Sequence, residues 1–191
     1  GDDPLCRDYG ILGETRDGGY AEYTVVPARN LMAKPANLSF AEAAAIPLVF
    51  LTAWHMLEAR ARLRPLETVL VHAAGSGVSS AAIQIARLFG ARTIVATAGS
   101  DDKLERAREL GASHVANYRS EDFVKVVKQA TDGAGVDVVI DHVGGEVFER
   151  SLRAMARGGR IVLCGATTGG EATVNLRAVF FKGLSILGST M

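Results

Sequence analysis

The chain has 191 residues, 48% apolar and 22% charged, enough to bury a core without disulfide staples and too apolar for a disordered segment. Its 21 basic and 21 acidic side chains cancel, which argues against a general binder of nucleic acid or anionic membrane. Two cysteines, Cys6 and Cys164, neither in a CxxC, exclude a disulfide framework and a self-contained thiolate zinc site. With no 18-residue apolar run and no signal-peptide pattern, the expected setting is cytoplasmic.

In chain order, the polar start and the apolar finish without a polar tail suggest a piece of a longer polypeptide. Residues 19–27 alternate and are rich in aromatic and β-branched types, which predicts a strand ended by Pro27. Ser39 with Glu42 three positions on is a capping-box signature, and Pro47 breaks that helix before a second one over residues 49–61. From Glu67 the pattern turns regular. Strands are predicted over 68–73, 93–97, 114–118, 136–143, 160–165 and 184–187. Between them lie helices over 78–89, stopped by Gly90, and 101–110, with Ser100 as cap and Gly111 at its end. A third, capped by Ser120, carries Phe123, Val127 and Ala130. A fourth carries Phe148, Leu152 and Met155 and ends at Gly158-Gly159. A short one covers 175–182. Six strands alternate with helices, and most of them read as continuous apolar runs. They predict an α/β fold with a doubly wound parallel sheet in the order 3-2-1-4-5-6.

The turn after the first strand, His72-Ala-Ala-Gly75-Ser76-Gly77-Val78-Ser79, follows an apolar run and opens a helix, as a dinucleotide fingerprint requires. Gly75 and Gly77 let backbone approach a pyrophosphate, and the helix N-terminus offers it free N–H groups. Ser79 stands where the last glycine of the fingerprint would be. At the end of the second strand an acid would bind the ribose 2′-hydroxyl of NAD, but Ala98 stands there. Ser100, Lys103, Tyr118 and Arg119 nearby suit an extra phosphate instead, against the alternative of a plain helix cap and a solvated charge. His55, His72, His114 and His142 fit no short metal motif and read as structural.

These residues are similar to the medium-chain dehydrogenase/reductase superfamily, between the zinc-type alcohol dehydrogenases and the NADPH:quinone oxidoreductases. The matching stretches are Gly18-Gly-Tyr-Ala-Glu-Tyr23, Ala45-Ile-Pro47, Phe50-Leu-Thr-Ala-Trp54, Gly75-Ser-Gly-Val78, Ala81-Ala-Ile-Gln-Ile-Ala86, Asn117-Tyr-Arg119, Cys164-Gly-Ala166 and Leu184-Ser-Ile-Leu-Gly188. The resemblance implies a remnant of a GroES-like catalytic domain over residues 1–40, connecting helices over 41–66 and a Rossmann domain over 67–191. It places Cys6 at the fourth ligand of a structural zinc, with its partners upstream, and Leu48 at the third ligand of the catalytic zinc, where a leucine cannot bind metal. It implies that Ser76 to Ser79 hold the pyrophosphate and that Ala98, Ser100, Lys103 and Tyr118 surround the adenosine ribose. Thr52, Val143, Gly165, Ala166, Leu187 and Gly188 would line the nicotinamide pocket. No general acid or base is assigned.

The expected activity is hydride transfer between NADP(H), with NAD(H) as the lesser choice, and a small carbonyl, enone, quinone or alcohol. This chain would be the cofactor-binding part, inactive by itself, and paired as a homodimer through its sixth-strand edge. An NAD-dependent zinc alcohol dehydrogenase and a non-catalytic nucleotide-binding module are the alternatives.

Overall fold

A computed structural model describes residues 6–190. Gly1 to Leu5 and the C-terminal Met191 lie outside them. The chain falls into two compact units, one running to Ile46 and the other Pro47–Thr190.

In the first unit the predicted strand over 19–27 does not form. Those residues are irregular, and Tyr20, Tyr23 and Val25 are almost wholly exposed. Alternation specifies a strand only where a partner strand and a buried face receive it. A single 3-10 turn, Ala28–Asn30, follows Pro27. Helix α1, Phe40–Ala44, opens on the expected box. The Ser39 N–H donates to the Glu42 carboxylate at 2.8 Å, and the Glu42 N–H donates to Ser39 Oγ at 3.2 Å. Those bonds from Ser39 hold the Glu42 carboxyl below its ordinary value.

The second unit begins with α2, Pro47–Trp54, with Pro47 at a helix start rather than inside one. The helix then widens into a π-helical turn, His55–Arg60, closed by the Ala61 N–H on the Met56 carbonyl at 2.8 Å. By length and composition Phe40–Arg60 is apolar enough to cross a membrane, contrary to the sequence expectation. It is interrupted at Pro47, however, and Ala53, Met56 and Leu57 are fully buried in the core of this unit.

Six strands follow: β1 Thr68–Val71, β2 Thr93–Ala98, β3 His114–Asn117, β4 Val136–Asp141, β5 Met155–Leu163 and β6 Ser185–Gly188. All their pairings are parallel and the order is 3-2-1-4-5-6, as predicted. The helices α3 Gly77–Leu88, α4 Asp101–Leu110, α5 Phe123–Ala130, α6 Gly145–Ala154 and α7 Leu176–Lys182 connect them. The core divides into two clusters. Ile83, Ala86 and Leu57 pack with Val69, Val71 and Ile94 in one, and Phe123, Val127 and Phe148 pack with Leu70, Val95 and Val139 in the other. This two-sided burial is why Val69 to Val71 of β1 and Val138 to Ile140 of β4 read as apolar runs.

Two local expectations are corrected. Helix α5 is capped by Asp122, whose carboxylate accepts the Val124 N–H and pairs with Arg150 at 2.8 Å, not by Ser120. Helix α6 stops at Ala154, and Met155, Gly158 and Gly159 belong to β5. The β4–β5 register shifts there, with Val136 opposite Met155 and Val138 opposite Arg160. Gly135, at φ +92°, allows it, since a Cβ would come within 2.5 Å of the Ala154 carbonyl oxygen.

Candidate functional site

The two halves of the sheet wind away from β1 and β4, and the carboxyl ends of these strands form the crevice where open α/β sheets take ligands. The turn leaving β1 is held from both sides. The Ala74 N–H donates to the Thr97 carbonyl at 2.7 Å, and Ala73, not a glycine, takes the left-handed conformation at φ +50°. Gly75 and Gly77 serve close approach instead. A Cβ on Gly75 would meet Lys103 Cδ at 2.7 Å, and one on Gly77 would meet Val49 Cγ1 at 2.8 Å. The Lys103 stem, from the first turn of α4, therefore lies across the turn after β1. Ser76 caps α3 by accepting the Ser79 N–H at 3.2 Å, and Val78 is half-buried.

At the carboxyl end of β2, Ala98 is buried as the last residue of the strand, where no acid stands. Ser100 stands at the N-cap of α4 but its hydroxyl makes no capping bond. It bonds the Asp102 carboxylate, whose pKa is lowered chiefly by that bond. The Tyr118 ring covers Gly99, where a Cβ would lie 2.6 Å from its hydroxyl. The structure thus brings Lys103 to Gly75 and Tyr118 to Gly99, on neighbouring turns.

At the carboxyl end of β4, Asp141 is fully buried. Its Oδ1 accepts the Val143 N–H at 2.7 Å and the Gly144 N–H at 3.3 Å, while Oδ2 has no partner. Burial raises the Asp141 pKa, and burial with the Asp141 charge raises that of Cys164 on the next strand end. The Cys164 N–H donates to the Asp141 carbonyl at 3.1 Å, and Gly144 packs on Ala166, so the turns carrying Val143, Gly165 and Ala166 are adjacent. Leu187 and Gly188 close β6, and the Gly188 carbonyl accepts from Arg60 Nε at 2.7 Å. His55 Nδ1 lies 3.0 Å from Ser189 Oγ, so the π-helical turn is tied to the end of β6. Buried Thr52, on the preceding α2, gives its hydroxyl proton to the Leu48 carbonyl at 2.7 Å.

Two histidines that read as structural sit inside this site. His72, fully buried, has Nδ1 3.0 Å from Thr97 Oγ1 and Nε2 2.7 Å from Ser151 Oγ. Burial is the main cause that lowers its pKa to about 3, so the ring is neutral. His142 has Nε2 2.9 Å from Ser76 Oγ and 3.1 Å from Ser79 Oγ. Those partners are 66 and 63 residues away in sequence, beyond the reach of any local pattern.

A family model for zinc-binding dehydrogenases matches residues 77–191, from the start of α3 to the last residue. The chain belongs to the zinc-binding dehydrogenase family, within the medium-chain dehydrogenase/reductase superfamily. It is 37% identical over 178 residues to quinone oxidoreductase-like protein 2 of Bos taurus, covering 93% of this chain and 51% of that protein. Among solved structures, an NAD-dependent alcohol dehydrogenase superposes with a TM-score of 0.94 at 57% identity, covering 99% of this chain and 55% of that one. The Escherichia coli quinone oxidoreductase complexed with NADPH superposes with a TM-score of 0.73 at 37% identity, covering 82% and 48%. The chain thus spans about half the length of each. For a zinc-binding dehydrogenase this chain offers zinc little. No cluster of three or more His, Cys, Asp or Glu able to hold a metal exists among the described residues. Cys6 is exposed and unpaired, and Leu48 presents an apolar side chain. Gly75 and Gly77 let Lys103 and Val49 pack directly against the turn, and the described residues offer no cluster that could hold a metal.

Proposed function

We propose that this chain is the cofactor-binding part of an oxidoreductase that moves a hydride between NADP(H) and a small carbonyl, enone, quinone or alcohol. The observation that carries the reading is Lys103 laid across Gly75 beside an end of β2 that has no acid, at Ala98. A carboxylate at that strand end would accept from the ribose hydroxyls and repel a 2′-phosphate. Its absence leaves an ammonium, the Ser100 hydroxyl and the Tyr118 phenol around the adenosine position. Ser76 to Ser79 and the α3 N-terminus take the pyrophosphate. Thr52, Val143, Gly165, Ala166, Leu187 and Gly188 bound the nicotinamide, and the cofactor when bound supplies or accepts the hydride. The chain's part is to orient the cofactor and exclude water around it. The two unpaired cysteines fit a reducing, cytoplasmic setting.

A second reading, NAD(H) as cofactor, is favoured by the 57% identity to the NAD-dependent alcohol dehydrogenase. In that case Lys103 serves the pyrophosphate common to both cofactors. Titrating NADPH and NADH against wild type and Lys103→Glu separates the two. A charge-assisted hydrogen bond is worth roughly 1.5–3 kcal/mol. The exposure of Lys103 puts its contribution at the low end, so NADPH binds about tenfold tighter than NADH. The substitution removes that preference and leaves NADH nearly unchanged. Equal loss of both cofactors in the variant, or tighter NADH in wild type, overturns the NADP reading in favour of the second. Saturation by neither cofactor overturns both.

A further inference from the structure

His142 follows Asp141 at the carboxyl end of β4, and its ring faces the two serine hydroxyls of the phosphate turn. The proton count there is constrained. Ser79 Oγ lies 2.6 Å from the His72 carbonyl, an acceptor with no hydrogen, so the single Ser79 hydroxyl proton is committed to it. Ser79 Oγ can then only accept from its other neighbours, Ser76 Oγ at 3.0 Å and His142 Nε2 at 3.1 Å. Were Nε2 unprotonated, it would face Ser79 Oγ lone pair to lone pair at that distance. It would also take the one proton of Ser76, whose oxygen already accepts the Ser79 N–H. With a proton on Nε2, the ring donates to both serine oxygens, and the Ser76 hydroxyl donates to Ser79 Oγ at 3.0 Å. Because Ser79 Oγ keeps the Nε2–H donor, the Ser76 hydroxyl can turn to a new acceptor without leaving Ser79 Oγ unpaired.

The ring is also fixed from behind. The Thr167 N–H donates to the His142 carbonyl at 3.1 Å, and Gly165 lies so close that a Cβ there would come within 3.4 Å of His142 Cβ. His142 therefore bridges the ends of β4 and β5 to the turn after β1, the segments on either side of the crevice.

We propose that His142 is a positioning residue for the cofactor pyrophosphate: its Nε2–H holds Ser76 Oγ and Ser79 Oγ and frees the Ser76 hydroxyl to donate to a phosphate oxygen. This rests on the dinucleotide reading above. It adds a residue from the opposite half of the sheet, which neither the glycine-rich turn nor the strand-end pattern points to.

The test measures binding of NADPH and of adenosine 2′-phosphate, which carries no pyrophosphate, to wild type, His142→Ala, His142→Gln, Ser76→Ala and the His142→Ala/Ser76→Ala pair. His142→Ala should weaken NADPH about tenfold, the loss of roughly one well-placed hydrogen bond, and leave adenosine 2′-phosphate unchanged. His142→Gln, which keeps an N–H near the same place, should recover most of the loss. The double variant should be little worse than Ser76→Ala alone, because both remove one shared interaction. Long-range 1H–15N spectra of the free protein should show the His142 proton on Nε2. Unaltered NADPH binding in His142→Ala overturns the proposal, as does equal weakening of both ligands, additivity in the pair, or a neutral ring protonated on Nδ1. If wild type binds neither NADPH nor NADH, the cofactor reading itself falls, whereas wild-type binding with an unaffected variant removes only the role of His142.

Discussion

His72 makes the stability of this fold dependent on pH. Ser151 gives its hydroxyl proton to the Val147 carbonyl at 2.7 Å, so it accepts from His72 Nε2–H. Nδ1 then accepts from the Thr97 hydroxyl. A neutral ring satisfies this chain of bonds, and Phe123 packs edge-on against it at 4.9 Å between centroids. Burial first, then the charges of His142 and Arg150, lower the pKa to about 3. In the unfolded chain the same ring titrates near 6.5. Between those values the unfolded state binds a proton that the native state does not, so stability is full above about 6.5 and falls as pH is lowered. From pH 7 to pH 5 the loss is about 2 kcal/mol, using roughly 1.4 kcal/mol per unit over the 1.5 units below 6.5. That is a large share of an ordinary domain's margin of about 5–15 kcal/mol. Asp141 works the other way. Its raised pKa means the native state holds a proton that the unfolded carboxylate has lost, so its contribution is present at low pH and fades as pH rises through the folded value. Urea unfolding at pH 5, 6 and 7 for wild type and His72→Gln isolates the histidine. The variant should be less stable at pH 7 but lose about 2 kcal/mol less on acidification. The same acid loss in both proteins would refute the assignment.

Two further outcomes follow from contacts already described. Gly75→Ala puts a methyl into the Lys103 stem, a flexible side chain, so urea stability should change by less than about 1 kcal/mol. NADPH affinity should nevertheless fall several-fold in titrations, and an unchanged affinity would show that Lys103 takes no part in binding. Strand β6 is the sheet edge, with Ile186 exposed. An apolar edge pairs readily with a second copy, so sedimentation should show a discrete dimer that Ile186→Lys weakens, and a monomer at tens of micromolar would end that proposal.

The sheet was legible because its evidence is local. Val69, Leu70 and Val71 form one apolar run, Gly90 and Gly111 stop helices with positive φ, and each βα unit repeats the same punctuation. What failed was decided by partners elsewhere in the chain. The alternation over 19–27 says strand, but no paired strand receives it among the described residues. The spacing of Phe148, Leu152 and Met155 suits a helix. Met155 is buried just as well as the first residue of β5, so periodicity could not say where the helix ends. Ser120 and Asp122 are both acceptable caps, and the ion pair with Arg150 favours Asp122. In the site, Gly75, Ser76 and Gly77 announced themselves as a turn. The two histidines did not, since their serine and threonine partners lie 25 to 79 residues away.

The polar groups at the crevice follow one rule, with an exception on β4. The side-chain hydroxyls and imidazoles of His72, Thr97, Ser151, His142, Ser76 and Ser79 all find partners within the protein. Such closed networks fix one arrangement, since each missing bond in a buried place costs about 1–3 kcal/mol. The buried oxygen left over is Asp141 Oδ2. Its partner oxygen holds the two N–H groups that open the turn carrying Val143, so the carboxyl cannot rotate to improve the second oxygen without releasing the first. The cost therefore stays where it is, expressed as a carboxyl that burial makes easier to protonate. That turn joins His142, which contacts Ser76 and Ser79 of the turn after β1, to Gly144, which packs toward Ala166. If the proposed dinucleotide binds there, such a bridge between the halves of the sheet presents it with donors already in place, so little binding energy goes into ordering them.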